Sequence, residues 1–207
     1  EPLGIRNSDT TKHLAYSISA KQKILSFFNN ENVSDRDLVI GISPSAGNKI
    51  KNWGGKNFAK VADYLYEKYS AKIIITGGPG DRKEVKEMIE NLDVKTKVVN
   101  TLEKFNIDDL KALISKMSMF IAVDTGPIYI AEAFSVPTVD IVGPMDEREQ
   151  PPLGEYHVVI VPVRDEPELH VMNARVYDAK EARRQTNSIH VRDVNKVCAK
   201  LIANILL

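Results

Sequence analysis

MFIAVDTGPIYIAEAFSVPTVDIVGP, residues 119–144, runs apolar, breaks at Asp124-Thr125-Gly126-Pro127, turns apolar again and ends in a second apolar run led by Pro137. Both runs are nearly continuous in apolar residues. Each therefore reads as a strand buried on both faces, and two such strands joined by a helix belong to a parallel sheet. Pro127 suits the first turn of that helix, where no amide donor is needed. Thr125 or Asp124 can cap it, and Gly126 keeps its mouth clear of side chains. A helix mouth offers free N–H groups and about half a positive charge, which suits a diphosphate. Asp124, at the strand tip, would then face something hydroxylated, because two anions repel. A plain capped turn accounts for Asp124 or Thr125 alone.

The same alternation extends on both sides. LVIGIS (38–43) is a short apolar strand followed by the loop PSAGNKIKNWGGK (44–56) and by NFAKVADYLYEKY (57–69), whose Phe58, Val61, Ala62, Leu65 and Tyr69 share one helical face. AKIIITGGPGD (71–81) reads as a strand and a glycine loop, RKEVKEMIENL (82–92) as a charged helix, KVVN (97–100) as a strand, and NIDDLKALISKM (106–117) as a helix capped by Asn106 or Asp108. HVVIVPV (157–163) adds a last strand, and HVRDVNKVCAKLIANILL (190–207) an amphipathic closing helix. The fold class is α/β, a doubly wound Rossmann-like parallel sheet. Residues 1–37 read as a linker with a helical extension over 13–28, residues 38–163 as the Rossmann-like domain, and residues 164–207 as a polar, aperiodic connection followed by the closing helix.

Ligands of open parallel sheets bind outside the carboxyl ends of the strands. Besides Asp124-Thr125-Gly126, two other strand ends carry unusual residues. Ser43, Ser45, Gly47, Lys49 and Lys51 bring hydroxyls, exposed amides and positive charge to the first loop. These are ingredients of a phosphate cradle, or of a solvated loop; the spacing fits neither a Walker loop nor a G-x-G-x-x-G fingerprint. In TGGPGD, Gly77 and Gly78 let backbone approach a ligand, and Asp81 either caps the next helix or accepts hydrogen bonds from ribose hydroxyls. Three decorated strand ends in one sheet favour a ligand.

The totals remove several function classes. Lys+Arg and Asp+Glu balance at 28 each over 207 residues, so there is no global field for nucleic acid or anionic lipid. No apolar run approaches the ~18 residues of a membrane span, and the first residues lack the form of a signal peptide. The chain does not start with Met, which points to a processed chain or an excised piece. A single Cys198 excludes an internal disulfide and fits a reducing compartment, and the four His lie without metal-ligand spacing.

ISPSAGNKIKNWGGKNFAKVADYL, IIITGGPGD and VDTGPIYIAEAFSVPTVDIVGP resemble, in order and spacing, the C-terminal half of glycosyltransferase family 9, the ADP-heptose:lipopolysaccharide heptosyltransferases and their relatives. The resemblance covers roughly residues 38–162. It implies one half of a GT-B enzyme, whose two Rossmann-like domains face a cleft and whose C-terminal half holds the nucleotide-sugar. Carried over, Ser45 and Lys51 contact the donor phosphates, Asp81 lies near the ribose, Asp124 faces the sugar, and Thr125 and Gly126 offer donors to the diphosphate. The implied reaction is an inverting transfer of heptose to a lipopolysaccharide core. No cofactor or metal is expected, the positive side chain and helix dipole standing in for a divalent ion.

The family usually has His where Ser43 begins the first loop and where Tyr129 follows the motif proline, so both positions depart from the pattern. The general base and the lipid-linked saccharide acceptor belong to an N-terminal half for which residues 1–37 hold too little. The chain is therefore expected to bind an ADP-sugar without transferring it, at a cytoplasmic location that includes the inner membrane face. The alternatives are a GT-B protein using another nucleotide-sugar, such as a UDP-sugar epimerase or transferase, and a non-catalytic nucleotide-binding module.

Overall fold

Six strands, β1 (Val39–Ser43), β2 (Lys72–Ile75), β3 (Val98–Asn100), β4 (Met119–Val123), β5 (Thr138–Ile141) and β6 (His157–Ile160), pair in the spatial order β3-β2-β1-β4-β5-β6. Every pairing is parallel, with Ile42 of β1 set between Ile75 of β2 and Ile121 of β4. The computed structural model describes residues 12–171 and 176–206. The linker expected over residues 1–12 lies almost wholly outside them.

The central strands β1 and β4 are buried along their whole length because both faces are covered. On one face Ile40, Ile42, Ile73, Ile75, Ile121 and Ile141 pack against α2 (Gly55–Tyr69), α3 (Arg82–Glu90) and α7 (Val191–Ile205). On the other, Val39, Ile74, Phe120 and Ala122 meet α1 (Ile18–Asn30), α4 (Ile107–Ile114) and α5 (Gly126–Ala133). Of the expected α2 stripe, Phe58, Val61, Ala62 and Leu65 are fully buried, and Tyr69, the last helical residue, is half-buried. The helix starts two residues early, at Gly55, where a Cβ would come within 2.6 Å of the Met88 amide nitrogen. Glycine there lets α2 meet the backbone of α3 directly.

Asn106 rather than Asp108 caps α4, accepting from the amides of Asp108 and Asp109 at 2.9 Å. The stretch 164–190 contains an unexpected helix, α6 (Ala179–Asn187), capped by Asp178. Its buried side chains are Ala182, Gln185 and Thr186, small or polar, so no apolar period announces it. Gln185 donates to the Glu166 carbonyl at 2.9 Å, and a Cβ on Gly143, in the loop after β5, would come within 2.7 Å of the Thr186 hydroxyl.

Candidate functional site

The strand order reverses between β1 and β4. One crossover leaves β1 toward β2 and the other leaves β4 toward β5, so their loops diverge and a crevice opens at the carboxyl ends. A cavity of about 230 Å³ lies there, lined by Ser43 at the end of β1 and Ser45 beyond it, Gly77, Gly78 and Asp81 after β2, and Thr125 and Pro127 after β4. The loop after β3 and the start of α4 add Phe105, Ile107 and Leu110, an apolar wall that the sequence did not single out. Tyr66, Lys72 and Lys97 line a larger cavity of about 740 Å³ together with Glu31, Asp37 and Glu67. That one sits at the amino ends of β2 and β3, where carboxylates face it and no helix mouth does.

Ser45, Asp81 and Thr125 thus share one cavity. Lys49, named at first only as part of a basic loop, ties two of them together. Its Nζ donates to Ser45 Oγ at 2.6 Å, to Asp81 Oδ1 at 3.1 Å and to Glu84 Oε2 at 3.4 Å. Asp81 Oδ2 accepts from the Gly78 amide at 2.9 Å and so closes the turn before α3; Asp81 stands at the N-cap of α3 without a side-chain capping bond, so it does not cap the next helix as one of the two sequence readings held. Burial alone would push the Asp81 carboxyl up, but the Gly78 amide, the Ser45 hydroxyl and the Lys49 ammonium outweigh that and hold it below the usual carboxylate range. A carboxylate offers about four lone-pair sites, so Asp81 keeps acceptor capacity for a hydroxyl of a ligand.

Thr125 stands at the N-cap of α5 in extended conformation, and its side chain makes no capping bond. Its hydroxyl is unspent, no acid occupies the first turn, and a Cβ built on Gly126 would meet nothing within 4 Å. The helix mouth therefore faces open space with its charge uncompensated.

Lys51 and Asp124 do not line this cavity. They pair with each other on the β5 side of the Thr125 mouth, Nζ to Oδ2 at 3.0 Å, each side chain only 15% exposed. The Tyr129 hydroxyl lies 3.2 Å from Asp124 Oδ1 and 2.8 Å from the Gln150 carbonyl. Burial and the neighbouring Asp124 carboxylate push the Tyr129 phenol up, so it remains a neutral donor. Asp140, passed over in the apolar run PTVDIVG, is buried beside Asp124 in the wall of a small neighbouring cavity.

The turn bearing Lys49 and Lys51 is held from outside by α6. Arg183 donates to the Lys49 carbonyl at 3.0 Å and to the Asn52 carbonyl at 3.1 Å. From inside, Asn52 Oδ1 accepts from the Ala46 amide at 2.9 Å, and Asn52 Nδ2 donates to Glu84 Oε1 at 3.0 Å. Arg164 donates to the carbonyls of Gly143 and Met145 and to the Glu147 carboxylate, fixing the loop after β5.

One histidine does meet carboxylates. His170, Asp146 and Glu149 bring ligand atoms within 4.8 Å of one another, although Asp146 is already engaged by the Arg148 guanidinium at 2.8 and 2.9 Å. The Asp-x-Asp triplet Asp35-Arg36-Asp37 lies before β1, at the far end of the strands, where Asp37 accepts from Ser34.

Residues 1–175 match the family model described as glycosyltransferase family 9 (heptosyltransferase). The chain belongs to glycosyltransferase family 9. Lipopolysaccharide heptosyltransferase 3 of Escherichia coli K12 is 30% identical over 148 residues, which are 70% of this chain and 42% of that protein. The crystal structure of a family 9 glycosyl transferase from Veillonella parvula superposes with a TM-score of 0.80 at 22% identity, over 98% of this chain and 57% of that one. E. coli ADP-heptose lps heptosyltransferase II does so with a TM-score of 0.75 at 20% identity, over 94% and 54%. The chain spans roughly half the length of these relatives. In this family 9 chain the two departures from the usual histidines become concrete: Ser43 lines the cavity, and the Tyr129 hydroxyl sits between the Asp124 carboxylate and the Gln150 carbonyl, either of which can accept its proton.

Proposed function

We propose that the chain is the donor-binding half of an inverting glycosyltransferase that moves heptose from ADP-heptose to a lipopolysaccharide core acceptor. The observation that carries this is the cavity at the strand reversal. It combines an uncompensated helix mouth with hydroxyl and carboxylate groups at its centre and the apolar Phe105–Leu110 wall at its β3 end. A nucleoside diphosphate has the complementary order: a flat base for the wall, a ribose for Asp81, and a diphosphate for Ser45, Thr125 and the Gly126 amide. Lys51 and Asp124 lie one step further toward β5, where the sugar follows the phosphates. Lys51 there serves the departing phosphate and Asp124 the sugar hydroxyls.

In such a transfer the acceptor hydroxyl attacks the anomeric carbon as ADP leaves through an oxocarbenium-like transition state. Negative charge grows on the diphosphate, and donors already aimed at it stabilise it without reorganising. The Thr125 hydroxyl, the α5 mouth and the Lys51 ammonium are held in advance in that sense. The general base and the lipid-linked acceptor are assigned to the partner half of a GT-B cleft, with the enzyme cytoplasmic and peripheral to the inner membrane face. Among the described residues no helix is long and apolar enough to cross a membrane.

Calorimetric titration with ADP, UDP and GDP tests the donor assignment. The chain should bind ADP on the order of 10 μM to 1 mM, because one wall of the closing cleft is supplied by the other half. UDP and GDP should bind more weakly. Indifference to all three would remove the assignment.

A further inference from the structure

None of the proposed donor contacts uses Asp140, yet it is the most constrained acid of the site. The β4–β5 register pairs it with Ala122, so its side chain leaves the same sheet face as Ala122 and, one pleat further along β4, Asp124. It is 1% exposed, and its Oδ1 is sealed from solvent without a hydrogen-bond partner. An unpartnered carboxylate so placed is costly; the group must hold a proton or take a share of a cation. The cation acting on it is Lys51, which is already paired with Asp124. A cavity of about 20 Å³, room for about one water, is lined by both acids.

The other ionisable groups facing this cavity are committed elsewhere. Asp146 and Glu147, from the loop after β5, are engaged by Arg148 and Arg164, and beyond the lining Tyr129, from α5, is a neutral phenol near Asp124. Burial, reinforced by the Asp124 carboxylate and opposed by Lys51, pushes Asp140 up to about 8.

We propose that Asp140 is a positioning residue for the donor site: while it holds a proton it leaves Lys51 to Asp124, and when it loses the proton it competes with Asp124 for that ammonium. The effect on a bound sugar rests on the donor reading above; the competition itself does not.

Carboxyl-carbon NMR titration of the ligand-free chain from pH 5 to 9.5 separates the two. Asp140 should titrate near pH 8, and the Asp124 signal should show a step at the same midpoint. Asp140→Asn should erase that step, and Lys51→Met should move the Asp140 midpoint higher, an arm that stands even if the first variant fails to fold. Calorimetry with an ADP-sugar should show affinity falling about three- to tenfold between pH 7 and 9.5 in the wild type, and less than twofold in Asp140→Asn. An Asp124 signal without a step at the Asp140 midpoint, or Asp140 titrating in the ordinary carboxylate range, overturns the proposal. A step at both acids with no nucleotide binding at any pH sustains the competition and overturns the donor reading instead.

Discussion

Replacing Lys51 by Ala tests the link between the loop after β1 and the tip of β4. The ammonium lies 3.0 Å from Asp124 Oδ2, and both side chains are 15% exposed. At an effective dielectric constant near 20 the raw attraction at that distance is about 5–6 kcal/mol, but both groups have given up hydration to meet. A charge-assisted hydrogen bond of this kind nets roughly 1.5–3 kcal/mol. Lys51→Ala should therefore cost about 1–3 kcal/mol of stability in urea denaturation, because Asp124 is left beside Asp140 without a cation. ADP affinity should fall about ten- to hundredfold, with Lys51→Arg retaining part of it. In a double-mutant cycle with Asp124→Ala, the stability coupling should be about 1 kcal/mol or more, since the second truncation removes the charge that the first left unpaired. Wild-type ADP affinity together with additive stability losses would refute both the phosphate role and the pair.

Three further outcomes are expected. Asp124→Asn should leave ADP affinity within a few-fold while weakening an intact ADP-sugar by tenfold or more in the same calorimeter; equal losses would mark Asp124 as a structural group only. Asp140 has a folded-state value near 8 against an ordinary 3.8, so its contribution to stability is complete below about pH 4 and is lost as the pH rises toward 8. Relative to wild type, Asp140→Asn should gain about 1.4 kcal/mol per pH unit across that window, read from denaturation midpoints at pH 5, 6 and 7; parallel curves would contradict the burial of an ionisable acid. Arg183→Ala should loosen the turn bearing Lys49 and Lys51, lowering ADP affinity about three- to tenfold for a stability loss of about 1 kcal/mol, because it removes two neutral-acceptor bonds from an exposed helix face.

The sheet was legible because its central strands are buried on both faces. Continuous runs such as VIGI and MFIAV, each closed by a turn signal and followed by a helical period, admit few arrangements other than a parallel α/β sheet. Helix α6 was not legible from periodicity, since it buries Ala182, Gln185 and Thr186 rather than a leucine stripe. The signal that could have found it is Asp178 as a cap before the strong helix formers of AKEARR. Of the site, strand ends flagged Ser45, Asp81 and Thr125, which share a cavity, because backbone topology alone decides what lies at a carboxyl end. Pairings did not follow in the same way. Lys51 and Asp124 are 73 residues apart, and Lys49 reaches Asp81 across 32, contacts that depend on how a loop folds back over the sheet. Asp140 had a readable signal, an acid inside an otherwise apolar strand, which must end protonated, paired or near a ligand.

The most direct test of the donor assignment is amide chemical-shift mapping of the chain during an ADP titration. Saturable shifts should concentrate on Ser45–Lys51, Gly77–Asp81, Phe105–Leu110 and the Gly126 and Ile128 amides at the mouth of α5. Shifts confined to Tyr66, Lys72, Lys97 and the rest of the larger cavity, at the amino ends of the strands, would contradict it.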